Sequence, residues 1–105
     1  MFDILKYFIP QASPINYKDL LKQGALIVDV RTHEEYKSGH IENSVNIPSS
    51  DLKKHVSSLK KKGKPIIVCC ASGMRSAAAK ELLKSQGIDE VYDGRGWRAL
   101  KGKIQ

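Results

Sequence analysis

Residues Pro65–Lys80 read PIIVCCASGMRSAAAK. The apolar run PIIVCC passes through one tight turn into the helix-forming SAAAK, so a buried strand delivers the chain straight to the amino end of a helix. The turn itself, Cys70-Ala71-Ser72-Gly73-Met74-Arg75, is small, flexible or cationic everywhere except Met74. In such a turn successive backbone N–H groups face inward as a nest, and the helix behind adds the positive end of its dipole. The expected result is an anion cup around one sulfur.

Cys69 and Cys70 are the only cysteines in the chain. A free thiol has a pKa near about 8.5, and a helix amino terminus with a neighbouring cation lowers it to roughly 3.5–7.5. Cys70 is therefore expected to be a largely ionised nucleophile. The amides of Ala71, Ser72, Gly73, Met74 and Arg75 form the expected anion site, with Gly73 supplying a backbone angle that side chains resist and Arg75 a permanent charge. Cys69 continues the apolar run, points to the opposite face of the strand, and is expected to be inert.

Working outward, Ala25–Val30 (ALIVDV) is a second unbroken apolar run. Two strands buried on both faces imply a parallel sheet. Shorter strands are expected at Ser44–Ile47 and Glu90–Tyr92, and helices at Tyr17–Gln23, Ser50–Lys61 and Ser76–Gln86. Alternating strands and helices imply an α/β layer fold, in which ligands sit at the carboxyl ends of strands. That rule brings Asp29-Val30-Arg31 beside the Cys70 turn.

The 105 residues are 41% hydrophobic and 28% charged, which suits one folded domain and excludes a disordered chain. Residues 13–105 are expected to form that domain. Residues 1–12 form an N-terminal extension in which FDILKYFI has the make-up of a short amphipathic helix. Asp3, Lys6 and the lack of a small-residue cleavage site argue against a secretion signal or a membrane span there. Adjacent cysteines cannot staple distant segments, so a reducing, cytoplasmic setting is expected. The net charge of +7 is densest in DLKKHVSSLKKKGK, which has no interleaved aromatic residues. It reads as a solvated helix face, with an acidic protein as the alternative partner and neither nucleic acid nor a membrane expected. His33, Glu34, Glu35 and His40 do not have metal-ligand spacing, so no metal and no cofactor are expected. Glu35 and His40 are expected to hydrogen-bond within their own segment. Met74 is expected on the loop rim, where it bears on acceptor choice, and Tyr92 and Trp97 in the core or pocket wall.

The segments SPINYKDL, IVDVRTHEEYKSGHIENSVNIP and IIVCCASGMRSAAAKELLKSQGIDEVYDGRGW resemble single-domain rhodaneses, the thiosulfate sulfurtransferases, from about Ser13 to Leu100. Cys70–Arg75 fits that family's C-x-x-G-x-R loop position for position. The resemblance implies a five-stranded parallel sheet with helices on both faces, and transfer of a sulfane sulfur through a Cys70 persulfide. It further implies a small anionic donor such as thiosulfate, and a thiol, a thioredoxin-like protein or cyanide as acceptor. Asp29 is implied as structural support for the loop, and Arg31 as a further contact for the substrate anion. Gly94-Arg95-Gly96-Trp97 departs from the paired glycines common in that family, and Ser44-Val45 from its usual alanine. Rival readings are a sulfur carrier or redox sensor, a non-enzymatic binding module, and a C-x5-R phosphatase or arsenate reductase using Cys69.

Overall fold

The computed structural model describes residues 14–105. The short amphipathic helix expected within residues 1–12 lies outside the described residues. After helix α1 (Tyr17–Lys22) come strand β1 (Leu26–Asp29), helix α2 (His33–Lys37) and strand β2 (Val45–Asn46). A 3-10 helix (Ser49–His55) then leads into α3 (Val56–Lys62), and β3 (Ile66–Cys70), α4 (Met74–Ser85), β4 (Val91–Gly96) and α5 (Trp97–Ile104) complete the chain. The strands form one parallel sheet in the order β2-β1-β3-β4.

The count of four strands among the described residues differs from the five expected. Pro14 has no N–H to give a ladder, and Asn16 already caps α1 by accepting from the Asp19 amide, so the described residues before α1 join no strand. The open edge of β4 is met instead by a side chain: the Tyr17 hydroxyl donates to the Asp93 carbonyl at 2.9 Å.

All five residues of β3 are buried, and their alternation divides the core in two. Ile66, Val68 and Cys70 join Val28, Leu52, Val56, Leu59, Leu83 and Val91 on the face covered by the 3-10 helix, α3 and α4. Ile67 and Cys69 join Tyr17, Leu20, Ile41, Trp97 and Leu100 on the face covered by α1 and α5. The period of two is what sends adjacent cysteines into different layers.

Three elements differ from the sequence expectation. The helix expected from Ser50 to Lys61 is a 3-10 turn up to His55 and α-helical only from Val56. His55 has φ −101° and ψ 1°, which breaks the regular winding. Strand β4 runs on through Asp93-Gly94 to Gly96, because Gly94 lies where a Cβ would stand 2.8 Å from Leu100 and 3.0 Å from Ile67. Helix α4 begins at Met74, two residues before the expected Ser76, because Gly73 at φ +111° has already turned the chain.

Candidate active site

Cys70 ends β3 at a bulge where it pairs with Gly96, and the chain turns at once into α4. The first amides of any α-helix lack an intrahelical partner. Here the N-cap is Gly73, which has no side chain to supply one. The sulfur of Cys70 takes that place: Gly73 N–H donates to Sγ at 3.0 Å and Ser76 N–H donates at 3.3 Å. A helix amino terminus is thus capped by sulfur, and the arrangement favours the anion.

Burial pushes the Cys70 thiol up, but hydrogen bonds from the Ser76 hydroxyl and from the Ser76, Gly73 and Ser72 amides outweigh it, and the pKa lies below the ordinary thiol value. The fully buried Ser76 hydroxyl donates to the Gly73 carbonyl at 3.0 Å, which ties the turn beside the sulfur to the first turn of α4. Cys70 itself is only 1% exposed, whereas Ala71 and Ser72 above it are exposed. Met74 stands out from the rim at 84% exposure. Cys69 has the opposite character. It is wholly buried on the other face, and its thiol is pushed up to about 12, chiefly by burial and then by the Asp29 carboxylate.

Three arginines flank the cup. Arg31 is held on every side: Nε and Nη2 bond the Asp29 carboxylate at 2.7–3.0 Å, Nη1 donates to the Glu35 carbonyl and Nη2 to the Gly39 carbonyl. Its guanidinium lies 4.7 Å from the Trp97 ring centroid, and the residue is 3% exposed. Arg31 and Asp29 are therefore a buried brace between β1, α2 and Trp97, and the guanidinium that the resemblance offered to the substrate is engaged with protein acceptors. Arg75 points its fork at Glu35, with Nη1 to Oε1 at 2.7 Å and Nη2 to Oε2 at 2.9 Å. Of the loop residues proposed for the anion, Gly73 donates to Sγ at 3.0 Å and the Ser72 amide also favours the thiolate, and they are joined by Ser76, which the sequence pattern does not assign to the site. Arg95 is the third arginine, on the strand end that runs alongside the turn.

Glu35 is the residue that ties the site together. Thr32 and Glu35 form a capping box at the start of α2, each side chain accepting from the other's amide. The remaining capacity of the same carboxylate receives Arg75 from α4 across 40 residues of sequence. The Arg75 guanidinium and the Thr32 amide hold the Glu35 carboxyl at about 2. Glu35 thus bonds within its own segment, as expected, and also beyond it. His40 stays local, with Nδ1 2.7 Å from the Tyr36 carbonyl and its ring stacked on that of Tyr36. The GHI and NIP stretches are structural: Gly39 leaves room for Trp97, Ile41 and Ile47 are buried, and Asn46 donates to the Asp29 and Arg31 carbonyls.

Residues 13–101 match the family described as the rhodanese-like domain. The chain belongs to the rhodanese-like domain family. It is 33% identical over 90 residues to the thiosulfate sulfurtransferase GlpE of Pseudomonas savastanoi pv. phaseolicola, covering 82% of this chain and 84% of that one. It is also 29% identical over 91 residues to the tRNA sulfurtransferase of Thermoplasma acidophilum, covering 87% of this chain and only 18% of that much longer protein. Among solved structures, the human single-domain sulfurtransferase TSTD1 superposes with a TM-score of 0.68 at 27% identity, covering 85% of this chain and 92% of that one. The rhodanese fold accounts for the parallel sheet flanked by helices. Among the described residues, no helix is long and apolar enough to cross a membrane.

Proposed function

We propose that this rhodanese-like chain is a thiosulfate sulfurtransferase that works through a persulfide on Cys70. The observation that carries the reading is the pair of amides, Gly73 and Ser76, directed at the Cys70 sulfur at the amino end of α4. The Cys70 thiolate attacks the outer sulfur of thiosulfate, the S–S bond of the donor breaks, and sulfite leaves with the bonding electrons. The negative charge ends on the outer sulfur of the new persulfide, one atom further from Cys70, within reach of the positive end of α4 and the exposed turn. An acceptor thiolate or cyanide then attacks that outer sulfur and returns Cys70 as thiolate. Two half-reactions through one covalent carrier give ping-pong kinetics.

The cup is fitted to one sulfur. With Cys70 almost wholly enclosed, a donor that ends in a single exposed sulfur reaches it by way of the exposed Ala71 and Ser72 above it, whereas a tetrahedral phosphate needs a wider ring of amides. Cys69, the nucleophile a C-x5-R phosphatase would need, is buried in the opposite layer with its thiol held neutral. The resemblance to GlpE supports thiosulfate as donor, and the exposed Met74 supports an acceptor that docks over the rim, such as a thioredoxin-like protein working in a reducing cytoplasm. A sulfur carrier would use the same persulfide and differ only in needing a dedicated delivering protein.

Incubation with thiosulfate, with intact mass measured afterwards, tests the reading. The wild type gains one sulfur and forms thiocyanate when cyanide is added, whereas Cys70→Ser does neither. A wild-type protein that gains no sulfur, or a Cys70→Ser variant that still does, overturns it.

A further inference from the structure

The backbone of Arg95 is unusual for its residue type. Its φ is +63°, a region that only glycine enters freely, although glycines stand on both sides of it. Such strain persists where the surroundings over-determine it, and it clusters at ligand sites. The surroundings here are specific. The Asp93 carboxylate accepts from the Arg95 amide at 2.8 Å and so holds the strand end in this turn. On the side of the cup, a Cβ at Gly73 would lie 3.6 Å from the Cβ of Arg95, and one at Gly96 would lie 3.1 Å from the Ala71 carbonyl oxygen. Arg95 and Gly96 therefore lie against the Cys70 turn at two points, Gly73 and Ala71, and the Arg95 side chain starts from the first of them.

The other cations close to the cup are already engaged. Arg31 is bound to Asp29 and two carbonyls, Arg75 is forked onto Glu35, and Arg98 lies over the Trp97 ring at 4.8 Å. Among the described residues the exposed guanidinium of Arg95 makes neither an ion pair nor a side-chain hydrogen bond, and the Asp93 carboxylate two residues away meets Arg95 through its backbone amide. Its charge is also felt at the Tyr17 hydroxyl on the same edge of the sheet.

We propose that Arg95 is the donor-binding cation of this site, a specificity-determining residue that meets the anionic end of the sulfur donor while the sulfane sulfur meets Cys70. This rests on the sulfurtransferase reading for the nature of the donor, but not for the existence of the anion contact. The chemistry it selects is a donor whose transferable sulfur sits beside a sulfonate-like group. Uncharged sulfur donors gain nothing from it. A glycine would fill position 95 without strain, so the arginine is held there at a conformational cost that its charge explains.

Two measurements on the full chain separate the possibilities. In steady-state transfer from thiosulfate to cyanide, Arg95→Gly raises KM about tenfold with kcat within about twofold, and Arg95→Lys recovers most of the loss, the size expected for one hydrogen-bonded charge contact. The second measures, by mass, Cys70 alkylation by iodoacetate, an anion, and by neutral iodoacetamide of similar shape. Arg95→Gly lowers the iodoacetate rate severalfold and leaves the iodoacetamide rate unchanged, with a thermal midpoint no lower than that of the wild type. Equal effects on both alkylating agents, or none on either, overturn the assignment. If the iodoacetate preference falls as expected while the wild type takes no sulfur from thiosulfate, the Arg95 contact stands and the choice of donor is refuted.

Discussion

Gly94 and Gly96 are two residues apart on β4, yet alanine at each tests a different part of the molecule. At Gly96 the backbone has φ −68° and ψ 134°, which alanine adopts without strain, so the whole perturbation is the new methyl group. That methyl would sit 3.1 Å from the Ala71 carbonyl oxygen, a few tenths of an ångström too close. The neighbour that must yield is the first residue of the turn over Cys70, and a shift there lengthens the Gly73 and Ser76 contacts to Sγ from their 3.0 and 3.3 Å. A hydrogen bond to a charged group contributes about 1.5–3 kcal/mol, so weakening one by half is worth about 1 kcal/mol, or roughly five- to tenfold in rate. At Gly94 the methyl would lie 2.8 Å from Leu100 and 3.0 Å from both Ile67 and the Val68 carbonyl. This is core overpacking, which costs about 1–3 kcal/mol and lowers the melting point of a domain of this size by roughly 4–8 °C per kcal/mol. Sulfur uptake per folded molecule, measured beside urea unfolding monitored by circular dichroism, should therefore fall for Gly96→Ala with a loss of stability of at most about 1 kcal/mol. It should stay within about twofold for Gly94→Ala despite the larger loss of stability. A fully active Gly96→Ala, or a Gly94→Ala that keeps its stability and loses activity, would refute the view that β4 buttresses the turn through Gly96 and the core through Gly94.

Cys69→Ser places a hydroxyl in the apolar layer with Trp97 and Leu100 and should cost about 1–3 kcal/mol in urea unfolding, with sulfur uptake retained; loss of uptake without loss of stability would contradict the division of roles. The Glu35 carboxyl is held at about 2 in the folded chain against an ordinary 4.5, so its contribution is present above pH 4.5 and is lost as pH falls toward 2. Glu35→Gln should remove that part of the acid destabilisation, and an unchanged acid profile would show that the Arg75 pair is not formed in solution. For Cys70, whose thiol lies below the ordinary thiol value, the rate of alkylation by iodoacetamide should reach its half-maximum below about pH 8.5. The stability advantage of wild type over Cys70→Ser should shrink as pH falls through that same midpoint. A midpoint at or above about 8.5 would remove the basis for an ionised nucleophile.

The parts of this structure that are legible in the sequence are those in which local pattern and fold agree. Pro65–Cys70 reads as a fully buried strand because every residue in it is apolar, and Gly73 reads as a turn because the helix-forming SAAAK lies just beyond it. The opposite burial of Cys69 and Cys70 comes from strand alternation alone. The expected helix start is two residues late because the sequence shows a serine that could cap, whereas the chain uses a cysteine sulfur three residues before the glycine. The short α2 and α5 carry too few residues to show a periodic face. The ion pairs are least legible: Asp29 and Arg31 stand two apart in a strand end, which does not reveal that the pair is buried, and Glu35 meets Arg75 across 40 residues. Charge in a sequence says nothing of its partner, so Arg31 and Arg75 both look available to a substrate until the acceptors around them are seen.

Trp97 is the only tryptophan in the chain, and its indole carries the Arg31 guanidinium at 4.7 Å and that of Arg98 at 4.8 Å. The protein thus contains its own optical probe, set between two cations and directly after Gly96, which lies against the Cys70 turn. Its emission should report unfolding without any label. Because Arg31 is fixed to Asp29 and Gly39, the same signal should also register any ligand that loosens this brace.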